Sequence, residues 1–177
     1  MNTPVLGPKL GSMIGAVGGL VFILVNAGGL PGPLPLIVRI AGVIAFALVL
    51  WTVLRRPGVG GEPPSRSAMR TYWICVAAEV VAIPLGASVI NNVFEQPDLT
   101  VCWVVLVVGA HFLPFARAFD APVFTSLGWV LIGLAVAGGA LALATGAVAA
   151  AATAVLAGAA LFLFSAFGGR VREPAAA

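Results

Sequence analysis

Six stretches of this chain run for about twenty residues with almost no charge, the length of apolar sequence that a helix needs to cross a bilayer. They cover residues 11–30, 36–54, 71–92, 99–116, 122–144 and 147–168. None shows the period-two alternation of a barrel strand. In hydrocarbon there is no water to satisfy backbone amides, and a helix satisfies them within a single segment. The fold expected is therefore an all-α polytopic membrane bundle of six transmembrane helices, with residues 1–177 as one domain and the one real loop at 55–70. Hydrophobic residues are 61% of the chain and charged ones 8%, against about 45–50% and 25% in a soluble domain.

Charge then orients the bundle. Lys9, Arg55, Arg56, Arg66, Arg70, Arg117, Arg170 and Arg172 fall at the N-terminus, the 2–3 loop, the 4–5 connection or the C-terminus. The other three turns carry no basic residue, and Arg39 lies just inside the second span. The positive-inside rule places both termini in the cytoplasm. It also accounts for the net charge of +3, which removes nucleic acid as a partner. Arginine in eight of nine basic positions, with abundant Ala, Gly and Val, fits a GC-rich bacterial genome and hence a bacterial inner membrane. A cleaved signal peptide ending at Val25-Asn26-Ala27 is the rival reading of the first span. The single Lys9 and the ladder of Gly11, Gly15 and Gly19 favour a retained helix that a neighbour approaches closely.

The connections are marked by composition. Pro31, Pro33 and Pro35 make a tight extended link between the first two spans. In the 55–70 loop, Gly60-Gly61 and Pro63-Pro64 oppose regular structure, and Arg55, Arg56, Arg66 and Arg70 could hold anionic lipid or serve as the topology signal alone. Gly133 and Ala137, and Ala150, Ala154 and Gly158, place small residues at four-residue spacing on spans five and six, as in a closely packed hairpin. Beyond the bilayer, a second copy of the chain is a compatible partner. The tail from Arg170 is expected to be mobile.

Two ionisable groups lie inside the spans. Glu79 is in the third, five residues before Pro84, whose missing N–H leaves the carbonyl of Val80 without its helical partner. His111, the single histidine, is in the fourth, three residues before Pro114. Measured from the cytoplasmic ends of consecutive spans, Glu79 is about 12 Å deep and His111 about 8 Å, so the two can meet. An ionisable group at such depth is by default a functional-site hypothesis. Burial disfavours the charge on each group, and contact between them favours it. The pair fits a proton or cation relay, and equally two polar groups that satisfy one another within a bundle. Tyr72, Cys75 and Gly86 share the Glu79 face by helical spacing and would line a cavity there. Supporting candidates are Tyr72, Arg39 (interfacial snorkelling, or an anion site) and Arg117 with Asp120 (an interfacial ion pair or cap). Asn26, Arg39, Asn91, Asn92, Glu95 and Asp98 could gather into an outer polar mouth.

Metal, nucleotide and hydrolase motifs are missing from the sequence, and no cofactor is expected. Cys75 and Cys102 belong to opposite ends of adjacent antiparallel helices and are expected to stay unpaired. The run Gly109-Ala110-His111-Phe112-Leu113-Pro114-Phe115-Ala116, with Ala78-Glu79 on the preceding helix, resembles a G-x-H-F-x-P-x-A pattern in a family of small bacterial multi-pass membrane proteins with no established activity. The resemblance covers about spans three to five. It implies an inner-membrane protein with a shared HFxP core and contributes no substrate. The functional expectation is a small transporter or channel-like protein built on Glu79 and His111, in preference to an enzyme. The alternatives are a membrane-embedded enzyme acting on a lipid or isoprenoid, and a structural or assembly subunit.

Overall fold

The computed structural model describes residues 7–56 and 64–168. Among these, 88% are helical and none is in a strand. Six helices follow in order, α1 (Gly7–Asn26), α2 (Leu34–Arg55), α3 (Arg66–Asn92), α4 (Leu99–Ala118), α5 (Val123–Thr145) and α6 (Ala147–Phe167), with a short 3-10 turn at Ala27–Gly29 after α1. All six contain a segment long and apolar enough to cross a membrane, so the protein is a polytopic helical membrane bundle.

The ends depart from the hydropathy boundaries for local reasons. Pro35 joins the first turn of α2, where a missing N–H removes no helical bond. At α3 the Ser65 hydroxyl accepts the Ala68 N–H at 3.1 Å, an N-cap that starts the helix at Arg66 rather than Thr71. The 55–70 segment is therefore partly helix, and Arg66 and Arg70 sit on the first turns of α3. Gly60-Gly61, Pro63 and the tail from Arg170 lie outside the described residues. After α4 the chain closes in a Schellman motif. Asp120 takes φ 47°, and the Ala121 N–H reaches the Ala116 carbonyl at 2.9 Å.

α6 forms the centre. One core cluster joins Val105 of α4 and Leu127, Leu131 and Ala135 of α5 to Ala157, Ala160 and Leu161 of α6. A second joins Ala16 and Ile23 of α1 and Val49 and Val53 of α2 to Phe162 of α6. Two close crossings fix the arrangement. At one, a Cβ on Gly158 of α6 would lie 2.6 Å from the Gly19 carbonyl oxygen of α1. At the other, a Cβ on Gly128 of α5 would lie 2.9 Å from the Gly109 carbonyl oxygen of α4. The backbones meet because neither crossing has a side chain to separate them. Gly15 and Gly19 of the α1 ladder thus face α6, whereas Gly11 is exposed. Ala150 and Ala154 are buried as the spacing implies, but Gly133 and Ala137 face outward. The inward face of α5 is instead Gly128, Leu131, Ala135, Gly138 and Ala142.

The charged residues are tied to helix ends. Arg39 donates from Nε to the Leu24 carbonyl at 3.1 Å, in the last turn of α1. Arg56 donates to the Ser165 carbonyl at 3.2 Å and to that of Ala166, in the last turn of α6. Each guanidinium satisfies carbonyls left over at a helix C-terminus and opposes its partial negative charge. Arg55 lies over the Trp51 ring, 3.8 Å from its centroid. Lys9 reaches the Leu54 carbonyl at 3.5 Å, so the start of α1 and the ends of α2 and α6 share the basic end of the bundle.

Candidate functional site

α3 differs from the other helices in having one substantial neighbour, α4. The site lies on that seam. Glu79 is equidistant from Arg66 and Asn92, so it occupies the middle of α3. The early start of α3 adds helix before Glu79, and those added turns carry Arg66 and Arg70. His111 lies in the second half of α4, and antiparallel packing brings the two together, with His111 Nδ1 3.3 Å from Glu79 Oε2. The side chains retain 15% and 23% exposure, respectively. His111 Nδ1 is enclosed, and the contact with Glu79 has ion-pair distance without hydrogen-bond alignment. Among the described residues no other enclosed side-chain nitrogen or oxygen lacks a hydrogen bond.

The residues of the 109–116 run face different neighbours. Gly109 faces α5 at the close crossing, and His111 turns to α3. Phe112 and Phe115 flank the imidazole, with ring centroids 4.2 and 4.9 Å from it. Phe115 stacks on Tyr72 of α3 at 5.7 Å, and Phe112 on Phe124 of α5 at 5.6 Å. These rings close the seam between the pair and the basic end. On the other side Trp103 of α4 lies against Gly86 of α3 and donates its indole N–H to the Ala82 carbonyl at 3.1 Å. The pair is thus bracketed by aromatic rings along the seam. Burial between the helices strengthens any charge interaction of the pair relative to a wet surface, and it disfavours the charge on each group alone. α3 and α4 both continue through their prolines, Pro84 and Pro114. The carbonyls of Val80 and Ala110, each next in sequence to a member of the pair, therefore have no i+4 amide to bond.

Tyr72 and Gly86 do share the α4-facing side of α3, but aromatic rings occupy that side where small polar groups were expected. The rings are legible only in retrospect, as the i, i+3 spacing of Phe112 and Phe115. Trp103 gave one sequence signal, a glycine within a helix two residues after a proline. Arg39 is a cap for α1. Arg117 faces outward in the last turn of α4, and Asp120 forms the left-handed residue of its cap. Neither Arg39, Arg117 nor Asp120 is at the Glu79–His111 contact. Of the outer polar residues, Asn26 and Asn92 bond within their own helices, to the Phe22 carbonyl and to Ser88, while Asn91 of α3 accepts from the Thr100 hydroxyl of α4. Asp98 stands beside Gly146, at the start of α6. Cys75 and Cys102 are free thiols. Among the described residues no group of three or more His, Cys, Asp or Glu could hold a metal.

No protein-family model, curated protein or solved structure matches the chain. The functional reading accordingly rests on the geometry of this seam.

Proposed function

We propose that the protein is a small transporter or channel-like protein of a bacterial inner membrane, with both termini cytoplasmic and Glu79 and His111 as its proton or cation relay. The observation that carries this reading is the 3.3 Å approach of His111 Nδ1 to Glu79 Oε2 between two apolar spans, with Nδ1 enclosed and otherwise without a partner. An imidazole takes a proton at one nitrogen and releases one from the other, and a carboxylate beside it receives or returns that proton. Rings on both sides of the pair make the arrangement an occluded one, with Tyr72 and Phe115 to be displaced at one side and Trp103 at the other. The basic end faces the cytoplasm because the arginines gather there.

Reconstituted vesicles carrying an internal pH dye test the reading. Wild-type protein is expected to dissipate an imposed proton or monovalent-cation gradient, and Glu79→Gln to abolish that flux. Flux in Glu79→Gln equal to wild type rejects the relay. Tags test the orientation: both termini should be cytoplasmic and the 92–98 turn accessible from outside.

The position of the pair supports a second reading. It sits on the outermost seam of the bundle with both side chains partly uncovered. A membrane-embedded enzyme would use that lateral access to bring a lipid or isoprenoid headgroup to an acid–base pair. Turnover of labelled membrane lipid by the purified protein, abolished in His111→Ala, would select this reading over transport.

A further inference from the structure

α3 contributes no residue to any of the bundle's core clusters among the described residues and packs substantially on α4 alone. Its outer face is covered by lipid, which is as apolar as a neighbouring helix, so burial of apolar surface does not fix how far α3 slides along α4. A slide of one turn, about 5.4 Å, would carry Glu79 out of reach of His111. Something specific must hold the register.

We infer that Trp103 is a positioning residue, which locks α3 against α4 in the register that sets Glu79 opposite His111. From Glu79 to Gly86 α3 rises about 10 Å, and from His111 back to Trp103 α4 rises about 12 Å. The two contacts are therefore two rungs of one antiparallel ladder. At the upper rung the indole fills the place that a side chain on residue 86 would occupy, since a Cβ there would clash with the ring edge at Nε1 and Cε2. Its N–H is bonded to the Ala82 carbonyl at 3.1 Å. Ala82 and Gly86 lie on either side of Pro84, the point at which α3 loses a backbone bond and is easiest to bend. The ring thus splints α3 across its weakest turn. Trp103 is about two turns from His111 and acts on it only through α3. As a positioning role it rests on the reading of Glu79 and His111 as the working pair, though not on what the pair carries.

His111 is the single histidine in the chain, so its Nδ1 gives one isolated signal, distinct from that of Nε2, in nitrogen NMR of nanodisc-embedded protein. The titration of that signal is expected to change in Glu79→Gln, which removes the partner. Trp103→Phe keeps a ring but loses the N–H, and Gly86→Ala pushes the ring out. Both should change the titration in the same sense as Glu79→Gln. Trp129→Phe, on the outward face of α5, should leave it as in wild type. Folded Trp103→Phe and Gly86→Ala proteins with a wild-type His111 titration would overturn the lock, even if they were less stable, since loss of packing alone does not move the imidazole. If Glu79→Gln itself left the signal unchanged, the pair would not be in contact, and the site reading would fall together with the lock. If Glu79→Gln moved the signal but left vesicle flux intact, the transport reading alone would fail. The wild-type protein supplies a check that no variant is needed for. The Trp103 indole proton should exchange more slowly than those of Trp51, Trp73 and Trp129, which face outward. Exchange as fast as in those three would overturn the proposal.

Discussion

α6 and α3 are both membrane-length apolar helices, and they occupy opposite situations. Half of the most apolar segment of α6 is enclosed by protein, and none of that of α3 is. α6 carries no ionisable residue, whereas α3 carries the one carboxylate found inside any span. Even the ends of α6 are served from elsewhere, with Asp98 beside its start and Arg56 bonded to carbonyls of its last turn. The difference separates two ways of holding a helix in lipid. α6 is held by shape, through small residues that let backbones touch. α3 is held along one seam by rings, an indole N–H bond and an ionisable pair. Shape tolerates no change in volume, while a polar seam can be opened and closed.

The largest effect should come from breaking the shape side. Gly158→Leu places a side chain against the Gly19 carbonyl and Ile23, which are backbone and core. A loss of about 3 kcal/mol or more in detergent or lipid unfolding is expected. Ala78→Leu on the outward face of α3 should stay within about 0.5 kcal/mol. Equal penalties at the two sites would erase the contrast between the helices.

The seam is tested by a double-mutant cycle. Glu79→Gln and His111→Ala each leave the other group without its partner, and the two together remove both. Because both side chains are partly uncovered and the contact is not aligned as a hydrogen bond, a coupling of about 1–3 kcal/mol is expected. Additive unfolding penalties would mean that the groups do not interact.

Two smaller effects sharpen the picture at the helix ends. Arg56→Met removes the donor to Ser165 and Ala166 and should cost about 1 kcal/mol, read as a lower unfolding midpoint. Asp120→Asn keeps a residue that tolerates the left-handed region, and loss of the carboxylate's charge near the helix end should cost about 0.5 kcal/mol in the same assay. A loss of more than about 1 kcal/mol there would give that charge a structural role beyond the Schellman turn.

The spans were legible in the sequence because lipid imposes a length and excludes charge, and both leave a mark in hydropathy. Helix ends were less legible because capping acts outside the apolar run. Ser65 starts α3 early through a hydroxyl bond, a contribution that a hydropathy window does not register. The meeting of Glu79 and His111 could be anticipated from depth, since consecutive spans are antiparallel neighbours. The rings around them could not, because in a chain this apolar an aromatic residue on a seam reads like one facing lipid. The same ambiguity misassigned the inward face of α5, where Gly133 points out and Gly138 points in. Arg39 and Arg56 illustrate a different gap. Sequence places them at interfaces, but their partners are carbonyls at the ends of other helices, the preceding one for Arg39 and α6 for Arg56.

The packing of α1 and α2 on α6 also has a consequence for biogenesis. α1 and α2 leave the ribosome before the helix whose Phe162 completes their core, with α3, α4 and α5 emerging in between. Until then they must wait in the bilayer as an incomplete pair, each keeping its own backbone bonds satisfied as any spanning helix does. The glycine face of α1 has no docked partner throughout that interval. Assembly of these helices therefore waits on α6, and a chain stopped before it would leave α1–α2 and α4–α5 without the helix against which both pairs pack.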